Sequence, residues 1–442
     1  MHERTERAFC RLAFLLLCAL PTLLTFAAVI VTRTPWYYRA EIAALEAALQ
    51  QRLGVRVAIG EMMRPSPGAW QLEGVRLMNP ETGDEVARVR TVFYAVVDGQ
   101  TKIHLSQPEL LSDQFPLAWQ LVHDRFLCQP DLVGAGLRMR AEDLSIHNQS
   151  QGLTLSPLDV WIEPREGETV AAARFVLAGR SPEEAPATLQ VSRDRSGPLP
   201  RTRLSLTTGS SPLPCSMLAD YLPVMRRLGV DAQFSGSLRW ELDHDDYTVQ
   251  LQGARFTQVN MLDLFELFDH RLTGTGTIEI QSLTRHRGRP ISEAIGRVAI
   301  ENAKVDPELL RAAAQSLGVS VHPEALTARE RIACQSVAFG FQLYGSEVQL
   351  SGLCYRQPHF ESMPPGTAIV ANNVPLAHVD PKRRLTAEAL SSTVDPNQRL
   401  EIPLGPDDDW ARRLLPPLQS EPSAAEAQPP RVPRVRLSER PR

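Results

Sequence analysis

The sequence predicts a mainly β protein with a few helices. An N-terminal transmembrane helix is followed by an elongated, curved antiparallel sheet and a disordered C-terminal tail. Three observations predict this class. An uncharged stretch of helix length lies near the start of the chain, apolar residues then recur with a period of two, and 35 prolines are spread through 442 residues. A period of two is typical of half-buried strands, and frequent proline suits short strands and turns better than long helices.

The N-terminal segment 1–33 is predicted to hold a membrane anchor. Residues 12–32 carry no charge, and about 20 apolar residues cross the hydrocarbon core of a bilayer. Trp36, Tyr37 and Tyr38 follow, as in an interfacial aromatic belt. Three arginines precede the segment and two follow it, which favours a cytoplasmic N-terminus. A cleaved signal peptide is the alternative, but the apolar stretch is longer than a usual signal core.

A juxtamembrane amphipathic helix is predicted over residues 34–54. Thr34 is a candidate N-cap, and Pro35 suits the first helical position. Gly54 suits the left-handed conformation that ends many helices. We expect the helix to pack on the strands that follow through one apolar stripe at helical spacing: Ile42, Leu45, Leu49 and Leu53.

Residues 55–215 and 216–402 are predicted to form two β-rich regions, with about fifteen strands in antiparallel meanders. Three helices interrupt the second region. One lies near residues 217–228 and another near 260–270. The third begins at the cap Asp306 and ends at Gly318, because it combines capping signals with helical spacing of aliphatic residues. Residues 403–442 are rich in proline and arginine and are predicted to be disordered.

One-sided apolar faces are clearest in two parts of the second region. In 234–242 and 247–251, apolar residues alternate with polar ones on either side of the acidic turn 243–246. In 337–343 the same alternation leads through a Tyr-Gly-Ser turn into a further strand, which is typical of a hairpin. The apolar positions are Phe234, Leu238, Trp240, Leu242, Val249, Leu251, Phe339, Phe341 and Leu343.

The sequence predicts no catalytic, cofactor or metal site. Motifs for nucleotide binding, zinc proteases and serine hydrolases do not occur. The glycine-rich stretch 273–278 continues as an alternating strand, so its glycines indicate close backbone packing or a bend. The acidic turns 243–246 and 407–409 and the basic loop 285–290 are interpreted as solvated loops. A net charge of −4 gives no case for nucleic acid.

Four cysteines beyond the anchor are candidates for either buried thiols or disulfides: Cys128, Cys215, Cys334 and Cys354. Their spacing is not that of a dense disulfide framework, and no Cys-x-x-Cys pair occurs. Buried thiols are the favoured interpretation.

The order of elements also carries a resemblance. An anchor leads into an amphipathic helix and then into two strand elements, matched at Gly54, Val57, Ile59 and Gly60 and at Leu72, Gly74, Val75, Leu77, Asn79 and Pro80. Later, 259–280 and 291–318 match a recurrent unit of helix, strand and return strand. This arrangement resembles the AsmA-like family of bacterial envelope proteins, which are related to repeating β-groove lipid-transfer proteins.

The resemblance implies a single-pass protein of the inner (cytoplasmic) membrane with most of its chain in the periplasm. It implies that the sheet forms a groove that binds or conducts lipid, in a non-enzymatic role in outer-membrane or envelope biogenesis. The nine apolar positions above are then the candidate lipid-facing residues. About fifteen strands at ~4.8 Å each give a groove of about 70 Å, which is short for spanning a periplasm alone.

Two alternatives stay open at this point. The same apolar faces suit a dry β scaffold that recruits envelope proteins through its loops and tail. An anchored enzyme with a dispersed site is the third hypothesis. The sequence leaves open the lipid, the direction and energy source of transfer, the partner proteins and the oligomeric state.

Overall fold

The computed structural model describes residues 9, 12–32, 34–66, 68–111, 114–129, 131, 136–147, 152–180, 184–218, 223–243, 246–266, 268, 270–286 and 291–394. The helices are α1 (Leu20–Thr32, preceded by a π-helical turn, Leu15–Ala19), α2 (Pro35–Leu53), α3 (Phe115–Leu121, continued by the π-helical Val122–Leu127), α4 (Pro223–Arg226), α5 (Met261–Phe265), α6 (Pro307–Ala312, continued by the π-helical Ala313–Leu317), α7 (Pro323–Thr327) and α8 (Ala387–Val394). Short 3-10 turns lie at Cys215–Leu218 and Cys354–Arg356.

The strands join into one sheet. The first half consists of β1 (Arg56–Ala58), β2 (Glu61–Ser66), β3 (Ala69–Met78), β4 (Glu85–Val97), β5 (Gln100–Leu111), β6 (Leu137–Ala141), β7 (Leu144–His147), β8 (Gly152–Arg165), β9 (Glu168–Leu177), β10 (Ala187–Asp194) and β11 (Arg201–Thr207). The second half consists of β12 (Leu213–Pro214), β13 (Gln233–Asp243), β14 (Asp246–Asn260), β15 (Leu272–His286), β16 (Glu293–Val305), β17 (Ser320–Val321), β18 (Ile332–Tyr344), β19 (Glu347–Gly352), β20 (Thr367–Ala371), β21 (Val374–His378) and β22 (Arg384–Thr386).

The predicted class, a mainly β chain with one curved sheet, is confirmed. The sheet is an antiparallel meander except where β5 runs parallel to β6 and β7. It continues without a break past residue 215, because β11 pairs directly with β13. The division into two β-rich regions at that residue stays a prediction. The structure has more strands than we expected, since short strands such as β17 and β22 show no clear alternation.

The apolar segment near the N-terminus is helical, as predicted. Of the described residues, Leu12–Val31 form a helix that is long and apolar enough to cross a membrane. Its side chains are exposed to the surroundings rather than packed in a core. That exposure distinguishes it from the core helix of a globular domain, since such a helix buries its apolar face.

The juxtamembrane helix is confirmed, with one correction. Helix α2 begins at Pro35 and ends at Gly54, which has a left-handed φ of 75°. Thr34, however, is not a side-chain cap for α2. Its hydroxyl donates instead to the carbonyl of Val31, 2.6 Å away. The reason is local: Val31 lies in the last turn of α1, three residues before Thr34, and its carbonyl is within reach of the Thr34 hydroxyl.

The predicted stripe of α2 packs on the first strands of the sheet. Ile42 is buried, and Leu45, Leu49 and Leu53 are partly buried against the same cluster. On the sheet side this cluster includes Val57, Ile59, Leu72 and Val89. Helix α2 therefore covers one face of β1–β5.

A second helix that the sequence analysis did not identify covers the next part of the same face. Helix α3 and its π-helical continuation contribute Trp119, Val122, Phe126 and Leu127 to a cluster with one residue from each of five strands. These residues are Leu137, Ile162, Ala171, Val191 and Leu204, which are paired in register from β6 to β11. Helices α2 and α3 thus lie on one face, here called the inner face.

The outer face carries ion pairs that cross the strands. Asp159 receives hydrogen bonds from Arg138 and Arg140. Two comparable groups each place one glutamate between two arginines, Arg203–Glu241–Arg239 and Arg255–Glu279–Arg297. Exposed pairs of this kind contribute little to stability. Their value here is that they mark this side as the one that faces water.

Of the three helices predicted in the second region, the last is confirmed. The carboxylate of Asp306 accepts from the backbone N–H of Glu308, and Gly318 ends the helical segment in the left-handed conformation. Near 260–270, α5 ends at Phe265. Near 217–228, the described residues contain only a 3-10 turn and the four-residue α4. Among the described residues, the helical stretches are thus shorter than predicted.

The glycine-rich stretch 273–278 lies in β15, as expected from its alternation. Its glycines serve close packing: a methyl group at Gly276 would overlap the side-chain end of Met261 on α5. At Gly274 the pairing with β16 shifts by one residue. Other predicted features lie outside the described residues: residues 244 and 245 of the acidic turn 243–246, residues 287–290 of the basic loop, the acidic turn 407–409 and the tail 403–442.

Candidate functional site

The nine predicted apolar positions lie on strands β13, β14 and β18, and all of them face the inner side of the sheet. Their register shows this. Leu238 pairs with Leu251, and Trp240 with Val249. Leu204, which contacts α3, is the partner of Trp240 on β11. Trp240 is buried, whereas the other eight are half-buried.

One row of paired residues crosses the inner face over thirteen strands, and all of its side chains are apolar. We call it the central row. It starts at β3 and ends at β18, and eleven of its members are half-buried. The row is Trp70, Tyr94, Ile103, Met139, Val160, Ala173, Leu189, Leu206, Leu238, Leu251, Leu283, Ala294 and Leu343. Thirteen strands at ~4.8 Å make it about 60 Å long.

Three of the nine predicted apolar residues lie in this row: Leu238, Leu251 and Leu343. Leu283 and Ala294 were missed because they lie on strands where bulges interrupt the alternation. In β14–β16, bulges shift the register between Phe256 and Val259 and between Ile280 and Ser282. A bulge changes which residues share a face. The side to which Leu283 points is therefore not readable from alternation alone.

A parallel row lies on one side of the central row. Phe234 pairs with Phe256, with ring centroids 5.2 Å apart. The row continues through Ile278 and Val298 to Phe339. From Ile278 to Phe339 it packs against the largest core cluster of the described residues, as do Phe341 and Leu343. Three of the nine predicted residues are thus part of a packed core: Phe339, Phe341 and Leu343.

On the other side of the central row, Trp240 and Val249 form a separate small cluster. Trp240 packs against Tyr247, with ring centroids 6.0 Å apart, and Leu242 and Leu204 complete the group. In the next strand the same row continues with Arg285, whose side chain is buried.

The inner face also holds one polar cluster, at the end of the α3 segment. Three side-chain atoms of the kinds that bind metals lie within 4.8 Å of one another: a ring nitrogen of His123, a carboxylate oxygen of Asp124 and Sγ of Cys128. Nδ1 of His123 donates to the carboxylate of Asp124 at 2.8 Å. Nε2 accepts from the guanidinium of Arg193 at 3.4 Å. Arginine is always a donor, so this geometry assigns the proton of the neutral ring to Nδ1.

This cluster is better suited to hold α3 in place than to bind a metal. A metal ion between the three groups would need the lone pair of Nδ1, and Nε2–H would then point at the Arg193 guanidinium. The positive charge of Arg193 also opposes a bound cation. The guanidinium of Arg193 also donates to the hydroxyl of Thr202 on β11, at 2.9 Å. Arg195 donates to the carbonyl of Leu127, the last residue of the helical segment.

Three of the described cysteines are buried and carry raised pKa values. Burial raises the pKa of the Cys215 and Cys334 thiols to about 11. It also raises the pKa of Cys354. A nucleophilic or redox cysteine needs a lowered pKa and access to solvent. These three side chains instead fill the core as protonated thiols, the interpretation favoured from the sequence.

Comparisons of the chain with protein-family models, with curated proteins and with solved structures gave no match.

Proposed function

We propose that this protein is a membrane-anchored, non-enzymatic envelope protein that binds lipid acyl chains on the inner face of its sheet. The observation that carries the proposal is the central row, an unbroken line of apolar, mostly half-buried side chains with ion pairs on the opposite face. Such a surface offers acyl chains a site without a charge, nucleophile or cofactor. Its part on β13–β15 is the segment Leu238–Leu251–Leu283, in which Leu238 packs against a core cluster whereas Leu251 and Leu283 belong to none of the core clusters of the described residues.

The dimensions of this segment suit part of one acyl chain. Strands β13, β14 and β15 are three neighbours, so they span about 10 Å at ~4.8 Å each. A chain that fills one leaflet of a ~30 Å hydrocarbon core is about 15 Å long. Transfer of each methylene from water to an apolar surface is favourable by about 0.8 kcal/mol. Even partial contact along this length therefore yields several kcal/mol.

Binding is better supported than conduction along the whole sheet. Helices α2 and α3 pack on the inner face from β1 to β11, between the anchor and the segment Leu238–Leu251–Leu283 of the central row. Lipid that moves from the anchor end to Leu251 has to pass α3. A conduit therefore requires α3 to leave its position, whereas binding at β13–β15 does not.

A dry scaffold is the second candidate, and a specific observation favours it. Phe339, Phe341 and Leu343 pack against a core cluster that also contains Val348 and Leu385. At this end of the sheet, the apolar face is used for folding. A scaffold would act through its loops and tail on envelope partners and would carry no lipid beyond that around its anchor.

Membership of the AsmA-like family, insertion in the inner membrane and a periplasmic sheet are parts of the same proposal. The order of elements supports them. An apolar span is followed by α2, by the split strand β1–β2 and by β3, which are the elements on which the resemblance rests. A role in outer-membrane or envelope biogenesis follows from that membership and is proposed with it.

Two neighbouring residues on opposite faces provide the test. Leu251→Asp places a carboxylate in the central row, and Gln250→Asp places one on the exposed outer face of the same strand. The full chain and both variants are purified under the same conditions, and the phospholipid per chain is measured by mass spectrometry. Lipid bound around the anchor contributes the same amount to the wild-type chain and to both variants. The proposal predicts less lipid for Leu251→Asp only, and equal amounts in all three chains would favour the dry scaffold.

A further inference from the structure

The end of the sheet next to the anchor carries exposed apolar side chains. Val96 and Val97, at the tip of the β4–β5 hairpin, are 50% and 40% exposed. Met63 on β2 is 47% exposed. Adjacent apolar side chains that stay about half exposed on a hairpin tip form a small apolar patch, which is a candidate contact surface.

A hydrogen-bonded connection holds these side chains close to the membrane span. Tyr38 lies seven residues after Val31, and a helical rise places it about 10 Å beyond the span. Its hydroxyl donates to the carbonyl of Met62 at 2.8 Å. Glu41, one helical turn later, pairs with Arg64. These contacts fix β2 beside the first turn of α2.

Strand pairing places the tip of the β4–β5 hairpin at the same end of the sheet as the β2–β3 turn. Ala69, which follows the β2–β3 turn, pairs with Ala95, and Val97 pairs with Gln100. The tip of β4–β5 is thus two strands, about 10 Å, from β2. Trp36, at the start of α2, is 64% exposed on the same end of the sheet. Aromatic residues at this position are typical of the headgroup region of a bilayer.

We propose that the β4–β5 hairpin tip inserts Val96 and Val97 into the surface of the membrane that holds the anchor. The hairpin tip contacts the boundary between the headgroups and the acyl chains of that bilayer. The charges near the tip are mixed, with Asp98 exposed at the turn and Lys102 exposed on β5. The contact is therefore mainly apolar, and it does not require anionic lipid. It would orient the sheet relative to the bilayer, which a single helix followed by a bend cannot do alone.

This inference rests on the anchor of the proposed function but not on lipid binding by the inner face. The test uses the full chain with Cys10→Ala and Cys18→Ala, reconstituted into phosphatidylcholine vesicles. Val97→Cys is labelled with an environment-sensitive fluorophore, and the matched control is Val374→Cys, 51% exposed at the start of β21. The chain without an added cysteine gives the background from Cys128. Vesicle flotation is measured in parallel.

The proposal predicts that lipids carrying a quencher on the acyl chain reduce the fluorescence at residue 97 at least about twofold more than at residue 374. Equal quenching at residues 97 and 374, in chains that float with the vesicles, would contradict insertion of the hairpin tip but not the membrane anchor. Failure to float would overturn both. Strong quenching at both positions would also overturn it, because the contact would not be specific to the hairpin tip.

Discussion

The guanidinium of Arg193 on β10 donates to Nε2 of His123, 3.4 Å away, on the π-helical turn that ends the α3 segment. Both side chains are buried. Together with the bond from Arg195 to Leu127, this contact holds α3 on the inner face. The position of α3 decides how much of the central row is accessible, so the polar contacts beneath it bear directly on function.

Stability should fall as the pH drops below the ordinary pKa of histidine. Burial lowers the pKa of His123 below its usual 6.5, and Arg193 adds to the lowering, while Asp124 opposes it. Below pH 6.5 the unfolded chain therefore takes up a proton that the folded chain does not. The loss is at most about 1.4 kcal/mol per pH unit.

Urea unfolding at pH 7.5 and 5.5 measures this effect. His123→Gln should be less sensitive to pH than the wild-type chain. His104→Gln, at an exposed position on β5, is the control and should keep the wild-type sensitivity. The same pH sensitivity in His123→Gln as in wild type would show that the buried ring does not titrate as argued.

Weakening the attachment of α3 should raise its exposure to solvent. Arg195→Met removes the charge-assisted bond to the Leu127 carbonyl, and such bonds contribute about 1.5–3 kcal/mol. Hydrogen exchange of residues 115–127 should then be at least about tenfold faster. Arg203→Met, which removes an exposed pair with Glu241 on the outer face, is the control. Unchanged exchange in Arg195→Met would mean that apolar packing alone holds the helix.

Gly352 should tolerate no side chain. A methyl group there would overlap the backbone carbonyl of Gly366, and neither backbone can yield without moving β19 or β20. We expect Gly352→Ala to destabilise the chain by about 1–3 kcal/mol, as in overpacked cores. Gly345→Ala is the matched control, because Gly345 has a left-handed φ of 60° but open space around it. Thermal unfolding should show that Gly345→Ala loses less free energy of unfolding than Gly352→Ala, about 1–2 kcal/mol at most.

The buried cysteines should resist alkylation in the folded chain. With pKa values raised to about 11, Cys215 and Cys334 are protonated at neutral pH. Iodoacetamide should modify them only after denaturation, as peptide mass spectrometry would show. Val374→Cys, exposed at the start of β21, should react quickly in the same sample. Fast modification of Cys215 without denaturant would contradict its placement in the core.

Local signals in the sequence were enough to predict several elements. Gly54 and Gly318 end helices where the sequence indicates, because a left-handed residue after an apolar stripe is a short-range signal. Alternation in 234–242 and 337–343 predicts the strands and the faces correctly. The central row as a whole was not predictable, since bulges on β14 and β15 change the register over long distances.

Helix α3 shows a different limit. Pro116 in its first turn and apolar residues at helical spacing, Trp119, Val122 and Phe126, were signals in the sequence that could have predicted it. Its place on the inner face was not available from these signals. That place depends on Arg193 and Arg195, some 70 residues away, and on the pairing of five strands. The extent to which the candidate site is covered is therefore a tertiary property.

Photocrosslinking tests the central claim most directly. The full chain is placed in membranes that contain phospholipid with a photoactivatable acyl chain. The sample is irradiated, and the modified residues are mapped by mass spectrometry. Lipid binding on the inner face predicts adducts at Leu238, Leu251 and Leu283, with the outer-face neighbours Arg239 and Gln250 unmodified. Adducts confined to the span 12–31 and the β4–β5 hairpin would contradict it.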